Sequence, residues 1–151
     1  MFAVGDRVWR PIVGAQTCGK STELLVPDVL SPIDTYLVDQ IEGDRLHLDG
    51  GHEVAAAGWE LYPAPGDRVV FAMKPLDYLY DGRDLDSPWL HQICVAGRSC
   101  PPPAHRGYGR RTLFVPRDGF AGACIEVRSP DNKITAIAVV CIRVYERSRS
   151  R

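Results

Sequence analysis

The sequence has no apolar run long enough to cross a bilayer. Its longest, residues 136–142, falls far short of the roughly 20 residues a spanning helix needs. No secretory leader is expected, because Gly5-Asp6-Arg7 arrives before any apolar core has formed. Asparagine occurs once, at Asn132, outside a glycosylation sequon. The five cysteines are odd in number and lack tight spacing, which speaks against a disulfide framework and fits a reducing compartment. Catalytic signatures are missing as well: there is no nucleophile elbow, no H-E-x-x-H and no deaminase pattern. The expected location is therefore the cytoplasm, or a particle assembled inside the cell, away from any membrane.

What is present describes a folded chain. With 45% hydrophobic and 25% charged residues, the 151-residue sequence is not globally disordered and makes one domain or two small ones. Its net charge of −1 hides an asymmetry. Residues 1–63 carry four basic side chains (Arg7, Arg10, Lys20, Arg45) against ten acidic ones, and the remainder carries fourteen against nine. An acidic front and a basic back can pair within one molecule or head to tail between copies, and the basic half can face an anionic partner.

Two segments open alike, Val4-Gly5-Asp6-Arg7-Val8-Trp9 and Pro65-Gly66-Asp67-Arg68-Val69-Val70-Phe71. Each feeds a Gly-Asp turn into an alternating stretch of strand type. The second copy marks a boundary near Pro63-Ala64-Pro65, where two prolines interrupt the pattern. Within the first segment, residues 35–41 read as a strand and Glu42-Gly43-Asp44 as a turn. Residues 45–49 alternate, with Leu46 and Leu48 on one face. Asp49-Gly50-Gly51 is a second turn, after which residues 52–56 pair back and Trp59, Leu61 and Tyr62 close the unit. This order of Gly-Asp-Arg-Val, two Gly-containing turns and a closing Trp59-Glu60-Leu61-Tyr62-Pro63 resembles SH3-like barrels of the KOW and Tudor kind, over about the first sixty residues. The resemblance implies a small barrel of a type that binds RNA, DNA, peptides or other proteins and often serves as a structural part of an assembly. Residues 11–32 make a longer first loop than usual and carry no aromatic residue, a departure from the Tudor-type aromatic cage.

The second segment predicts strands over residues 68–73 and 89–96, separated by an acidic loop. Residues 100–111 are a loop of proline, glycine and arginine. Residues 121–128 and 134–145 flank Ser129-Pro130-Asp131-Asn132-Lys133, which has hairpin chemistry, and the second of these strands is apolar on both faces as a covered central strand would be.

Several side-chain sets invite a chemical interpretation. Gly14-Ala15-Gln16-Thr17-Cys18-Gly19-Lys20-Ser21 matches the phosphate-loop letters, but Pro27 ends any following helix after about one turn, so a plain loop of the barrel is the simpler expectation. His91, Cys94, Cys100 and His105 form H-x2-C-x5-C-x4-H, a candidate zinc set opposed by the odd separation of His91 and Cys94 on a strand. No other cofactor is expected. Asp77, Asp81, Asp84 and Asp86 are a candidate hard-cation cluster or, more plainly, a solvated acidic loop. Arg106, Tyr108, Arg110, Arg111 and Arg117 combine guanidiniums with an aromatic ring, and Arg147, Arg149 and Arg151 add a basic tail. These suit charge-assisted hydrogen bonds to an acidic or phosphate-bearing surface.

The expectation is thus a mainly β protein: an SH3-like barrel over residues 1–63, then a β-rich segment over 64–151 packed on it and ending in a hairpin. Its expected function is a non-catalytic binding or assembly module that docks a protein partner or a further copy of itself, such as an accessory component of a virus particle. Two alternatives stand beside it: a nucleic-acid-binding barrel using residues 106–117 and the tail, and a small enzyme whose His, Cys and Asp residues converge only in space.

Overall fold

A computed structural model of the chain describes residues 1–11, 34–77, 82–100, 113–117 and 123–148. The protein is mainly β, with two sheets and no long helix among the described residues. The chain divides into two compact units, one of Met1–Pro11 with Ile33–Tyr62 and the other of Ile12–Pro32 with Pro63–Arg151.

The first unit is a five-stranded antiparallel sheet of β1 (Arg7–Trp9), β2 (Tyr36–Glu42), β3 (Arg45–Leu48), β4 (His52–Ala55) and β5 (Glu60–Leu61), in the order β4-β3-β2-β1-β5. Strict alternation in β3 buries Leu46 and Leu48 and turns Arg45 outward. Gly43 takes a φ of 59° in the two-residue turn that pairs Glu42 with Arg45, a conformation that L side chains resist. A bulge between Val38 and Gln40 bends β2. Val8, Val38, Leu46 and Leu48 form the core, with Phe2, Tyr36, Trp59 and Leu61 packed against it. Ala55 and Glu60 are joined by a connection that is folded back by a Trp59 N–H to Ala56 carbonyl bond of 3.1 Å. Yet β4 and β5 lie four strand spacings apart, about 19 Å in a flat sheet. Five Cα steps reach at most about 18 Å when fully extended, so this sheet must curl.

The second unit holds β6 (Arg68–Phe71), β7 (Leu76–Asp77), a one-turn helix α1 (Ser87–Leu90), β8 (Cys94–Cys100), β9 (Leu113–Val115), β10 (Cys124–Arg128), β11 (Ile134–Ala138) and β12 (Ile142–Glu146). Its sheet order is β12-β6-β8-β10-β11-β9-β7, antiparallel except for the β9–β11 pair. Val69, Val127, Ile137, Val139, Val140 and Ile142 are wholly buried.

Two strand expectations need correction. Residues 89–96 are not one strand: Pro88 and Trp89 sit in α1, and the strand starts only at Cys94. Proline near a helix start has its ring pre-set for the turn and no donor to lose, which the apolar pattern of the stretch concealed. Residues 134–145 are likewise two strands, broken by a 3-10 turn at Val139–Cys141. The turn is as buried as its flanks, so hydrophobicity gave no sign of it. It carries the chain from β11 to β12, four spacings away in the sheet, in four Cα steps of at most about 14 Å. This second sheet must curl as well.

The two units share one strand order. Setting aside β7 and β9, the second reads β11-β10-β8-β6-β12, the same meander with a fifth strand returning beside the first. Their openings match bond for bond. Gly5 N–H donates to the Val38 carbonyl and Gly66 N–H to that of Ala96, both at 2.8 Å. Val38 and Ala96 N–H donate back to the Asp6 and Asp67 carbonyls at 2.9 and 2.8 Å. The Oδ2 atoms of Asp6 and Asp67 accept from Ala3 and Ala64 N–H at 2.7 and 2.9 Å. Gly5 and Gly66 have φ values of 92° and 93°.

The copies differ in burial. Asp67 is fully enclosed, and its Oδ1 also accepts the Ser148 N–H at 2.8 Å, which ties down the segment after β12. Asp67→Ala should therefore cost about 2–3 kcal/mol by removing the acceptor of the Ala64 and Ser148 N–H groups from an enclosed site, and Asp6→Ala less, both read by urea denaturation. Gly5→Ala should cost about 1–2 kcal/mol from its left-handed backbone alone. Gly66→Ala should cost more, because its new Cβ would lie 3.1 Å from the Ser148 Cβ, whereas nothing stands within 4 Å at Gly5.

Candidate functional site

The basic residues singled out in the sequence fall into two groups. Arg106, Tyr108, Arg110, Arg111, Arg149 and Arg151 lie outside the described residues, as do His105, Asp81 and the phosphate-loop letters at 14–21. Arg117 is described, and its Nη2 binds Asp84 Oδ1 at 2.6 Å, while Lys74 Nζ sits 3.2 Å from the other oxygen. Arg147 follows β12 and is half-buried.

Two acidic residues of the same region, Asp77 and Asp84, are matched from within. Asp77 is buried at the end of β7, with Arg83 Nη2 at 3.3 Å, and Asp84 bridges Lys74 and Arg117. Asp86 precedes α1 and is exposed.

The structure does not bring the described zinc candidates, His91, Cys94 and Cys100, together. Cys94 and Cys100 are both buried but mark opposite ends of β8. Six strand steps put them close to 20 Å apart, whereas sulfurs on one zinc ion lie within about 4 Å of each other. His91 is exposed at the end of α1. Among the described residues, no three His, Cys, Asp or Glu side chains are grouped to hold a metal ion. Burial pushes the Cys94 thiol above its ordinary pKa, the opposite of what a ligand or nucleophile needs.

A different set is brought together on the outer face of the second sheet. Residues directly opposite across a ladder point to the same side. Glu146 stands opposite Arg68, Arg68 opposite Val95, Val95 opposite Arg128, and Arg128 opposite Ile134. This makes one row across five strands. Val95 and Ile134 are 40% and 53% exposed, and Tyr145, beside Glu146, is 59% exposed. Arg68 is held by Glu146 at 2.9 Å, with its guanidinium 6.0 Å from the Tyr145 ring centroid. Arg128 is held by the Asn132 side chain at 2.8 Å. A bulge sets Gly97 and Arg98 against Glu126. Its glycine is close-packed, since a Cβ there would lie 3.3 Å from the Glu126 backbone oxygen. Between the strands runs a shallow groove of about 110 Å³, walled by Val95, Gly97, Glu126, Arg128 and Ile134. Sequence inspection missed this row, although the hairpin register alone places Ile134 beside Arg128.

The first unit presents an acidic hairpin, with Asp39, Glu42 and Asp44 exposed around the β2–β3 turn. Glu42 contacts His47, and Arg45 Nε binds Glu53 at 2.6 Å. Tyr36 meets Trp59 and His52 edge-on, with centroids 5.9 and 5.2 Å apart.

Comparison of the chain with protein-family models, curated proteins and solved structures finds no match. No helix among the described residues is long and apolar enough to cross a membrane.

The Arg45 hydrogen bond and charge hold the Glu53 carboxyl below the usual carboxylate range. Its folded pKa is depressed, so the contribution of the pair is present above the ordinary Glu pKa and is lost as pH falls through the folded one. Arg45→Ala should return Glu53 to an ordinary titration, measurable by carboxyl-carbon NMR.

Proposed function

We propose that the protein is a non-catalytic binding and assembly module made of two SH3-like barrels in sequence, docking a protein partner through the outer face of the second. Two features support the barrel assignment. Each unit is a four-strand meander whose fifth strand returns beside the first, and each makes that return through a connection short enough to force the sheet to curl. The shared Gly-Asp bonding at the first strand speaks for one plan used twice.

The observation that carries the docking role is the exposed row of Glu146, Arg68, Val95, Arg128 and Ile134, with the Tyr145 ring beside Arg68 at the β12 bulge. Aromatic residues and arginine are enriched in protein interfaces, and a rigid sheet presents them at little ordering cost. The arginines are already oriented by Glu146 and Asn132, so a partner meets a prepared surface. The role in view is therefore that of a fixed part in a larger assembly.

Affinity capture with the intact chain and with a Val95→Glu/Ile134→Glu variant tests this. Both side chains are exposed, so the variant should keep its melting temperature within a few degrees. A protein retained by the wild type and lost by the variant is the expected result. Equal recovery by both would overturn the docking face. Recovery of nuclease-sensitive material that falls away steeply with salt would instead favour nucleic-acid binding.

A further inference from the structure

One pair of the described cysteines stands in register. Cys100 closes β8, Cys124 opens β10, and the two are directly opposite in the antiparallel ladder. Residues so placed hold their Cβ atoms about 4.5–5.5 Å apart. A disulfide needs about 3.5–4.5 Å, which is a small adjustment at the end of a strand. The Cys124 thiol already leans onto its neighbour, with Sγ 3.1 Å from the Cys100 carbonyl oxygen. Both residues are thiols here. The other described cysteines are placed differently: Cys94 opposes Val69 on β6, and Cys141 sits in the 3-10 turn.

We propose that Cys100 and Cys124 are a redox pair that closes reversibly into a cross-strand disulfide. Cys100, 9% exposed, is the more accessible of the two, against 3% for Cys124. Its thiolate attacks a small-molecule disulfide of the glutathione class, releasing one small thiol and leaving a mixed disulfide on Cys100. The Cys124 thiolate then attacks the Cys100 sulfur, forming the protein S–S bond and releasing the second small thiol. The two cysteines together give up two electrons and two protons, and the small disulfide takes them up. In a reducing compartment such bonds are transient and serve as sensors. This one ties the end of β8 to the start of β10.

The test treats the full-length folded chain with oxidised glutathione, quenches with acid, then denatures and alkylates. The thiols open to alkylation should fall from five to three in a monomer, and return to five after dithiothreitol. Peptide mapping without reduction should join Cys100 to Cys124. Cys124→Ser should stop at a glutathione adduct on Cys100; if that variant does not fold, the wild-type map decides alone. Five alkylated thiols after oxidation, or a bridge to Cys18, Cys94, Cys141 or a second chain, would overturn the proposal.

Discussion

Each unit hangs on a small polar knot at its first strand. A glycine in the left-handed region turns the chain, an aspartate carboxylate takes up a backbone N–H three residues back, and two further bonds stitch the turn to the second long strand. The knot fixes where the first strand begins and which strand it pairs with. A one-residue slip there would turn Val8 or Val69 from the core to solvent. In the second unit the same carboxylate also holds the chain after β12, so the first and last strands are locked by one buried charge.

From that register the outer face follows. Because opposite residues share a side of the sheet, burying Val69, Cys94 and Val127 puts Arg68, Val95 and Arg128 outward in line. The exposed row is therefore the other side of the core: the phase that packs the interior sets what the exterior shows. The same ladder brings Cys100 and Cys124 face to face, although twenty-three residues separate them in sequence.

Much of the described charge is spent internally. Arg117, Lys74 and Asp84 satisfy one another, Arg83 covers the buried Asp77, and Arg45 holds Glu53. The exposed pairs among these, Arg45 with Glu53 and Arg117 and Lys74 with Asp84, add little stability, commonly under about 1 kcal/mol each. They fix where side chains lie.

The sequence by itself determined the strand-rich character, the turns at Gly43, Gly50 and Asn132, the alternation of β3 and the β10–β11 hairpin. These depend on residues a few positions apart, where alternation and turn chemistry act directly. It also carried the repeated Gly-Asp-Arg-Val opening. The shared strand order was not legible, because the stretches holding β7, α1 and β9 separate the matching strands. The break at Val139–Cys141 was hidden because a buried turn and a buried strand have the same hydrophobicity. Only the tertiary structure decided that Val95 and Ile134 meet in one row, that Cys94 and Cys100 stand apart, and that Cys100 and Cys124 stand together. Those relations are set by which strands become neighbours, and hydrogen bonding between segments distant in the chain leaves no periodic trace in either segment.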